Sequence, residues 1–453
     1  MNTELCFTQD EIDLDQFRDY ILSTMFENGL DDRHDFRLTS FSLELPGSCV
    51  EALNEIASVL PDYTNGLERL LNISLINDKS RRTSRNFRQI RSIFGVNSFF
   101  NNILANDCRR EVEFDFDKEQ EALSSARRGI HPFVRMDLVI DPMEGGMKCV
   151  EIEVDKLHGL GYATLCRQMS ADPIGNGIAD SFANISSDNR TLFLTSSFDR
   201  FYTPEARFFT REVNRVGGNM LFMTQEEFCP GVEFGMINRG IFDPGFEQLV
   251  QVPILKGQSQ AVGHTISKLM RIIERRDSSI LSDNNPALAD KSLMAMITNP
   301  FLDEELEDIL HRCFDARTLY ILRSILPETM IPVSKNEKSF IAARINGGEE
   351  FFIKTTTGSG ARGVFPPGDK DLQMRVLREG KNIIVQKAIP PVFSTLPFMG
   401  LQSGVEGCDE FSFRIGAFFI NDELSDIAVT ASPGNVAHGG TRSIQMAARR
   451  ALS

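Results

Sequence analysis

Residues 131–154 read HPFVRMDLVIDPMEGGMKCVEIEV, and this stretch decides how the rest of the chain is organised. Phe133 to Ile140 alternates enough for a strand, Glu144-Gly145-Gly146 supplies a turn, and Met147 to Val154 alternates again. The segment therefore predicts a β-hairpin. Alternate residues of a strand share a face, so Arg135 and Asp137 project together from the first strand and Glu151 and Glu153 from the second. Paired across the hairpin, they place three carboxylates and one guanidinium on one surface. Carboxylates crowded in this way repel one another unless a cation lies between them. Magnesium suits such a site, because it takes carboxylate oxygens and keeps positions for water and substrate phosphates. A strand face of mutually compensating charges is the commoner origin of any one Glu-x-Glu pair.

Outward from the hairpin, Asp155 to Gly161 reads as a glycine-containing loop, and residues 191–250 as a small α/β unit. In that unit Leu192-Phe193-Leu194 and Met220 to Met223 are buried strands, separated by a helix over Pro204 to Val216, with Phe234 to Ile237 as a weaker third strand. A helix follows over roughly Val262 to Arg276, and more helices run to about Ile325. The last stretch is strand-rich: Phe351 to Lys354, Asn382 to Gln386, Ser412 to Ile420 and Ile427 to Val429. On the other side, residues 1 to about 130 read as mainly helical and irregular. The expected divisions are 1–130, 131–190, 191–260 and 261–453.

Three further motifs carry chemistry. The first, Lys354-Thr355-Thr356-Thr357-Gly358-Ser359-Gly360-Ala361-Arg362-Gly363, is a strand ending in lysine, followed by a hydroxyl-rich glycine turn. Such a loop can fold over phosphates, with backbone N–H groups as donors and lysine as a point charge. Its spacing is not that of a P-loop, and a surface hairpin has the same composition. The second, Ile384-Val385-Gln386-Lys387-Ala388-Ile389-Pro390, is an apolar strand whose edge can hydrogen-bond an adenine while side chains sandwich the ring; alone it reads as a core strand. In the third, Asn435 to Arg442, the adjacent Gly439 and Gly440 permit close approach of backbone to a ligand. His438 within it reads as structural.

Composition narrows the partners. At 453 residues, 42% hydrophobic and 25% charged, the chain is ordinary globular material for two or three domains. A net charge of −15 argues against nucleic acid, which needs a basic face. The opening MNTELCFTQDEIDLD shows no secretory signal, and no stretch is long and uncharged enough to span a bilayer. The eight cysteines are scattered without a zinc spacing, so they read as reduced thiols and the compartment as cytoplasmic.

Together, in this order, the motifs resemble those of the ATP-grasp ligases. Arg135-x-Asp137 followed by Glu151-x-Glu153 and a glycine-bearing loop resembles the family's metal motif, in which R-x-D precedes E-x-N. Here it precedes the lysine–glycine loop by some two hundred residues. That order resembles the circularly permuted arrangement of eukaryotic-type glutathione synthetases and glutathionylspermidine synthase-like enzymes. Ala287 to Leu293 resembles the first ATP-lysine segment, with Lys291 as the lysine. Lys354 resembles the second, Ile384 to Ile389 the adenine hinge, Val436 to Gly440 the late glycine loop, and Met236 to Ile241 the strand end that offers Arg239 to substrate.

The resemblance implies a mixed α/β (α+β) protein with a circularly permuted ATP-grasp fold and an inserted small α/β substrate-binding unit. It implies an ADP-forming carboxylate–amine ligase using ATP and Mg2+. ATP falls to Lys291, Lys354, Gly358, Gly360, Gly363, Val385, Gln386, Gly439 and Gly440, and the metal to Asp137, Glu151 and Glu153. Arg135 is the catalytic group that steadies the acyl phosphate, and Arg239 grips a small-molecule carboxylate. Two departures stand out: Glu153 replaces the family's asparagine, and Gly358 falls near an acidic metal ligand of glutathione synthetase. An ATP-grasp kinase and a nucleotide-binding protein without turnover are the rival readings, and a homodimer stays open.

Overall fold

The computed structural model describes residues 5–30, 36–75, 133–154, 158–195, 201–228, 248–251, 279–280, 290–302, 304–332, 334–356, 363–380, 382–437 and 442–451. Its strands in chain order are β1 (Cys6–Gln9), β2 (Arg37–Leu38), β3 (Phe41–Leu45), β4 (Phe133–Ile140), β5 (Met147–Val154), β6 (Thr191–Thr195), β7 (Met220–Thr224), β8 (Gln248–Gln251), β9 (Ser279–Ile280), β10 (Thr329–Met330), β11 (Phe351–Thr355), β12 (Val364–Phe365), β13 (Ile383–Lys387), β14 (Phe393–Gly400), β15 (Glu406–Ile420), β16 (Glu423–Ser432) and β17 (Ile444–Arg450). They form a nine-stranded mixed sheet, order β1-β3-β17-β2-β14-β15-β4-β5 with β16 paired to β15 and β17, and two four-stranded sheets. The protein is thus mixed α/β.

The expected hairpin forms as β4 and β5, with Arg135 opposite Glu153 and Asp137 opposite Glu151. Its register shifts at Asp137/Leu138, because Cys149 pairs with Leu138 while Glu151 pairs with Asp137. Val150 is therefore the extra residue of a β-bulge. The bulge changes which residues of β5 face inward: Met147 and Cys149 are buried before it, Ile152 and Val154 after it, all in the main core. Glu151 and Glu153 are freed for the opposite face.

The central strand β15 divides its side chains by the two-residue period of a strand. Phe411, Phe413, Ile415, Ala417 and Phe419 enter the main core, while Phe418 and Ile420 enter a second cluster. The main core also takes the helices Gly47–Ala57, Ser292–Thr298 and Ala316–Ile325. The second takes the helices Leu160–Gln168, Ile178–Ser186 and Thr203–Arg215.

The large sheet runs across the expected divisions. Among the described residues of the 1–130 stretch, three helices accompany the short strands β1, β2 and β3, which join the nine-stranded sheet beside β14 and β17. Strands of two to five residues carry too few alternations to declare themselves in sequence. The 261–453 division likewise shares that sheet through β14 to β17. The α/β unit is a parallel sheet, order β7-β6-β8-β9, with Thr203–Arg215 between β6 and β7. It reaches Ser279–Ile280, beyond the expected boundary at 260. The proposed strand 234–237 and helix 262–276 lie outside the described residues. No helix among the described residues is long and apolar enough to cross a membrane.

The small antiparallel sheet β10-β13-β11-β12 packs Phe351, Ile353, Ile383 and Val385 into its own core. Phe352, Lys354 and Gln386 turn the other way, toward the large sheet.

The helix Leu160–Gln168 is held close to Thr203–Arg215. Glu205 accepts hydrogen bonds from the Gly159 and Tyr162 N–H groups at 2.8 and 3.2 Å, a carboxylate at a helix N-terminus. A Cβ on Gly161 would stand 2.8 Å from the Glu205 carbonyl carbon. Gly161→Ala is therefore expected to destabilise by about 1–3 kcal/mol through overpacking. Gly47→Ala, where a Cβ meets nothing within 4 Å, should be close to neutral. Urea unfolding of the two variants checks the contrast.

Candidate active site

A cleft opens between the large sheet and the small one. β4, β5 and β15 supply Asp137, Val150, Glu151 and Arg414, β11 and β13 supply Phe352, Lys354 and Gln386, and Lys291 enters from the start of its helix. Apolar lining comes from Leu5, Ile389, Pro391, Val392, Phe413 and Val436.

The charged side chains interlock. Asp137, 2% exposed, receives Arg135 Nε at 3.2 Å and Arg414 Nη1 at 2.9 Å. Glu151, directly across from it, pairs with Lys291 Nζ at 2.7 Å. The Lys291 backbone N–H in turn donates to the Thr356 carbonyl at 3.0 Å, which fastens that lysine to the end of β11. Lys354 Nζ donates to Gln386 Oε1 at 2.7 Å and to the Val150 carbonyl at 3.1 Å. The bulge thus exposes a carbonyl that the cleft lysine uses. Lys291 and Lys354 are both buried.

Of the expected residues that are described, Asp137, Glu151, Lys291, Lys354 and Gln386 line the cleft, and the others do not. Arg135 donates to Asp137, to the His158 carbonyl at 3.0 Å, and pairs with Glu153 at 2.5 Å. Neither Arg135 nor Glu153 lines the cleft; they stand behind Asp137. Val385 points into the core of the small sheet. Val385 and Gln386 are paired on both sides, with β10 and with β11. The strand edge expected there for adenine is therefore not open, and the chain becomes available only past Ala388, where Ile389 to Val392 pass the cleft. Gly363, at φ +78, closes the base of the lysine loop: its carbonyl accepts the Thr355 N–H at 2.8 Å, and a Cβ would press on the Thr355 side chain. Gly358, Gly360, Gly439, Gly440 and Arg239 lie outside the described residues.

Sequence reasoning missed Arg414. It lines the cleft, pairs with Asp137 and reaches Thr430 Oγ1 at 3.4 Å. Its signal is a lone arginine in the apolar run Phe411 to Ile420, two residues before Gly416, which faces Asp137 across the ladder.

Among the described residues, no group of three or more His, Cys, Asp or Glu side chains is gathered to hold a metal. The cleft offers two carboxylates, Asp137 and Glu151, which fits a cation that keeps most of its positions for water and phosphate oxygens. Burial pushes the Lys354 ammonium down to about 8, a shift that neighbouring Lys291 deepens and Glu151 opposes.

No protein-family model matches the chain, and no curated protein does. Among solved structures it is similar to a glutathione synthetase-like effector from Globodera pallida in its apo form, at 11% identity and a TM-score of 0.48, over 96% of each chain. It is also similar to a provisionally named gamma-glutamylcysteine synthetase from Methylobacillus flagellatus KT, at 11% identity and a TM-score of 0.34, over 76% of this chain and 84% of that one. Neither likeness is close enough to assign a fold or an activity.

The Lys354 environment has a stability consequence with a definite sign. Its pKa is about 8 folded against 10.5 unfolded, so between those values the unfolded chain binds more protons and stability rises with pH. Below pH 8 both states are protonated and the burial penalty is complete. The unfolding free energy of wild type minus that of Lys354→Met should therefore increase by on the order of 3 kcal/mol from pH 7.5 to 10.5. Urea titrations across that range measure it; a flat difference would show that Lys354 is not held in a depressed state.

Proposed function

We propose that the protein is an ATP- and magnesium-dependent ligase that joins a small-molecule carboxylate to an amine through an acyl phosphate. One observation carries this reading: two buried lysines from separate segments meet the facing carboxylates Asp137 and Glu151 in an otherwise apolar cleft between two sheets. Buried cations beside a carboxylate pair suit a polyphosphate that arrives with a divalent cation. The motif order that resembles a permuted ATP-grasp ligase supports the same reading.

In this proposal Lys291 and Lys354 take the phosphates, and Asp137 and Glu151 hold the magnesium. Magnesium, when bound, neutralises charge on the transferring phosphoryl group. Positioning and charge neutralisation do most of the catalysis in such a transfer. The γ-phosphoryl passes to the substrate carboxylate with loss of ADP; the amine then attacks the acyl carbon and phosphate leaves. Arg414 faces this reacting group and donates to its oxygens. Arg135, backed by Glu153 and the His158 carbonyl, holds Asp137 in place. The base lies against the apolar lining, and backbone groups of Ile389 to Val392 take the hinge role first assigned to Val385. Arg239 and the parallel α/β unit remain the proposed source of carboxylate and amine selection.

Purified protein given ATP, magnesium and a pool of amino acids or other small carboxylates should release ADP, and hydroxylamine should trap a hydroxamate. AMP with pyrophosphate would mean adenylation, and a stable phosphate ester a kinase; either product sinks the ligase. Arg414→Met should lower turnover about a hundredfold or more, the scale of a lost charged contact to a transition state.

The Lys291–Glu151 pair generates a separate expectation. With Glu151 already neutralised, Mn2+ used as a magnesium probe should bind weakly without nucleotide. Lys291→Met removes that cation from Glu151, so the variant should bind Mn2+ alone at least tenfold more tightly than wild type while losing nucleotide affinity. Electron paramagnetic resonance titration reads the first effect and calorimetry the second. Unchanged Mn2+ affinity would remove Glu151 from the metal site.

A further inference from the structure

Of the two buried lysines of the cleft, only one is matched by a carboxylate among the described residues, while the exposed Lys387 also lines it. Lys291 has Glu151, Arg414 has Asp137, and Arg135 behind them has Asp137 and Glu153. Lys354 has no carboxylate within ion-pair distance among the described residues; its ammonium rests on two neutral oxygens, Gln386 Oε1 and the Val150 carbonyl, with the Phe352 ring 5.9 Å away.

The amide is not interchangeable with an acid at that point. Gln386 is 1% exposed and donates from Nε2 to Thr329 Oγ1 at 3.2 Å. The Thr329 hydroxyl spends its own proton on the Pro327 carbonyl at 2.9 Å. With that proton committed, Thr329 can only accept from residue 386, so the NH2 group must face the threonine and the amide oxygen must face the lysine. A directional chain, Pro327 carbonyl to Thr329 to Gln386 to Lys354, fixes the ammonium without cancelling its charge. A carboxylate at 386 would cancel it, since an opposite charge at hydrogen-bond distance favours and neutralises the buried ammonium.

We infer that Gln386 is a positioning residue that holds Lys354 uncompensated, so that the cleft selects ligands bearing clustered negative charge. This rests on the nucleotide-cleft reading above and deepens it by assigning anion selectivity to an amide that acts through Lys354. The charged groups around the ammonium are Glu151, Lys291 and Asp137, with the buried Cys149 thiol beside them. None of them is altered by a change at 386.

The test uses the full chain, wild type and two variants close in size, Gln386→Glu and Gln386→Met. Two measurements are made. Binding of inorganic triphosphate is titrated by calorimetry at pH 7.5. The pH profile of Lys354 acetylation by acetic anhydride is followed by mass spectrometry of its peptide, which needs neither ligand nor turnover. The wild-type profile should have its midpoint near pH 8. Gln386→Glu should move it up by at least one pH unit and weaken triphosphate at least tenfold. Gln386→Met, which removes an acceptor but adds no charge, should move the midpoint down and weaken triphosphate by less. Midpoints shifting the same way in both variants would indicate mere disturbance and overturn the inference. So would triphosphate binding by Gln386→Glu within twofold of wild type. The expected pattern in a wild type that forms no ADP would count against the ligase reading and leave this one standing.

Discussion

The structure turns on the cost of holding ammonium groups out of water. Lys291 and Lys354 are both buried, and an unpaired charge in such a place is among the most expensive features a fold can carry. The chain meets that cost unequally. Lys291 is neutralised by Glu151, whereas Lys354 has hydrogen bonds to neutral oxygens and the face of the Phe352 ring. Everything that borders the cleft bears on this imbalance: the β4–β5 register that sets Glu151 opposite Asp137, the bulge that bares the Val150 carbonyl, and the amide chain that aims Gln386. The cleft is therefore a region where stability has been traded for an unmet demand for negative charge, as functional sites often are.

The second determinant is chain topology. The nine-stranded sheet joins strands from residues 6–45, 133–154 and 393–450. Some of its pairings, such as β3 with β17 and β4 with β15, join parts of the chain hundreds of residues apart. Such contacts require large loops to close before they repay their entropy. The site inherits this dependence, because Asp137, Arg414 and Lys354 reach one cleft only when the hairpin, β15 and the small sheet are all in place.

How much of this could be read from sequence follows from the range of each signal. The hairpin was legible, because local alternation and a Gly-Gly turn suffice, but the pairing of Arg135 with Glu153 and Asp137 with Glu151 was not, since it depends on the bulge at Val150. Two strands of the α/β unit, β6 and β7, and the lysine strand were legible as well. The orientation of Val385 was not, because Ile383 to Lys387 are apolar on both faces, and only pairing with β10 and β11 shows that the strand is central. Arg135 was assigned to the reacting group on its motif, yet a second arginine, Arg414, lies nearer the cleft. Its proximity to Asp137 depends on a strand 277 residues away, which no local pattern encodes. The short strands β1, β2 and β3 had the same difficulty: their partners, not their residues, make them strands.

The bulge at Val150 acts like a change of reading frame. In Met147-Lys148-Cys149-Val150-Glu151-Ile152-Glu153-Val154 the core-facing residues fall on odd numbers before it and on even numbers after it. A regular strand would have to send Met147, Cys149, Glu151 and Glu153 to one side, setting two acids in the core or two apolar groups in the cleft. One supernumerary residue lets a single strand speak to oil at its beginning and to charge at its end. A one-residue loss at Val150 would swap the inner and outer faces of half the strand. The acidic pair is therefore guarded by a spacing as well as by its own chemistry, and drift at a valine that carries no charge could silence it.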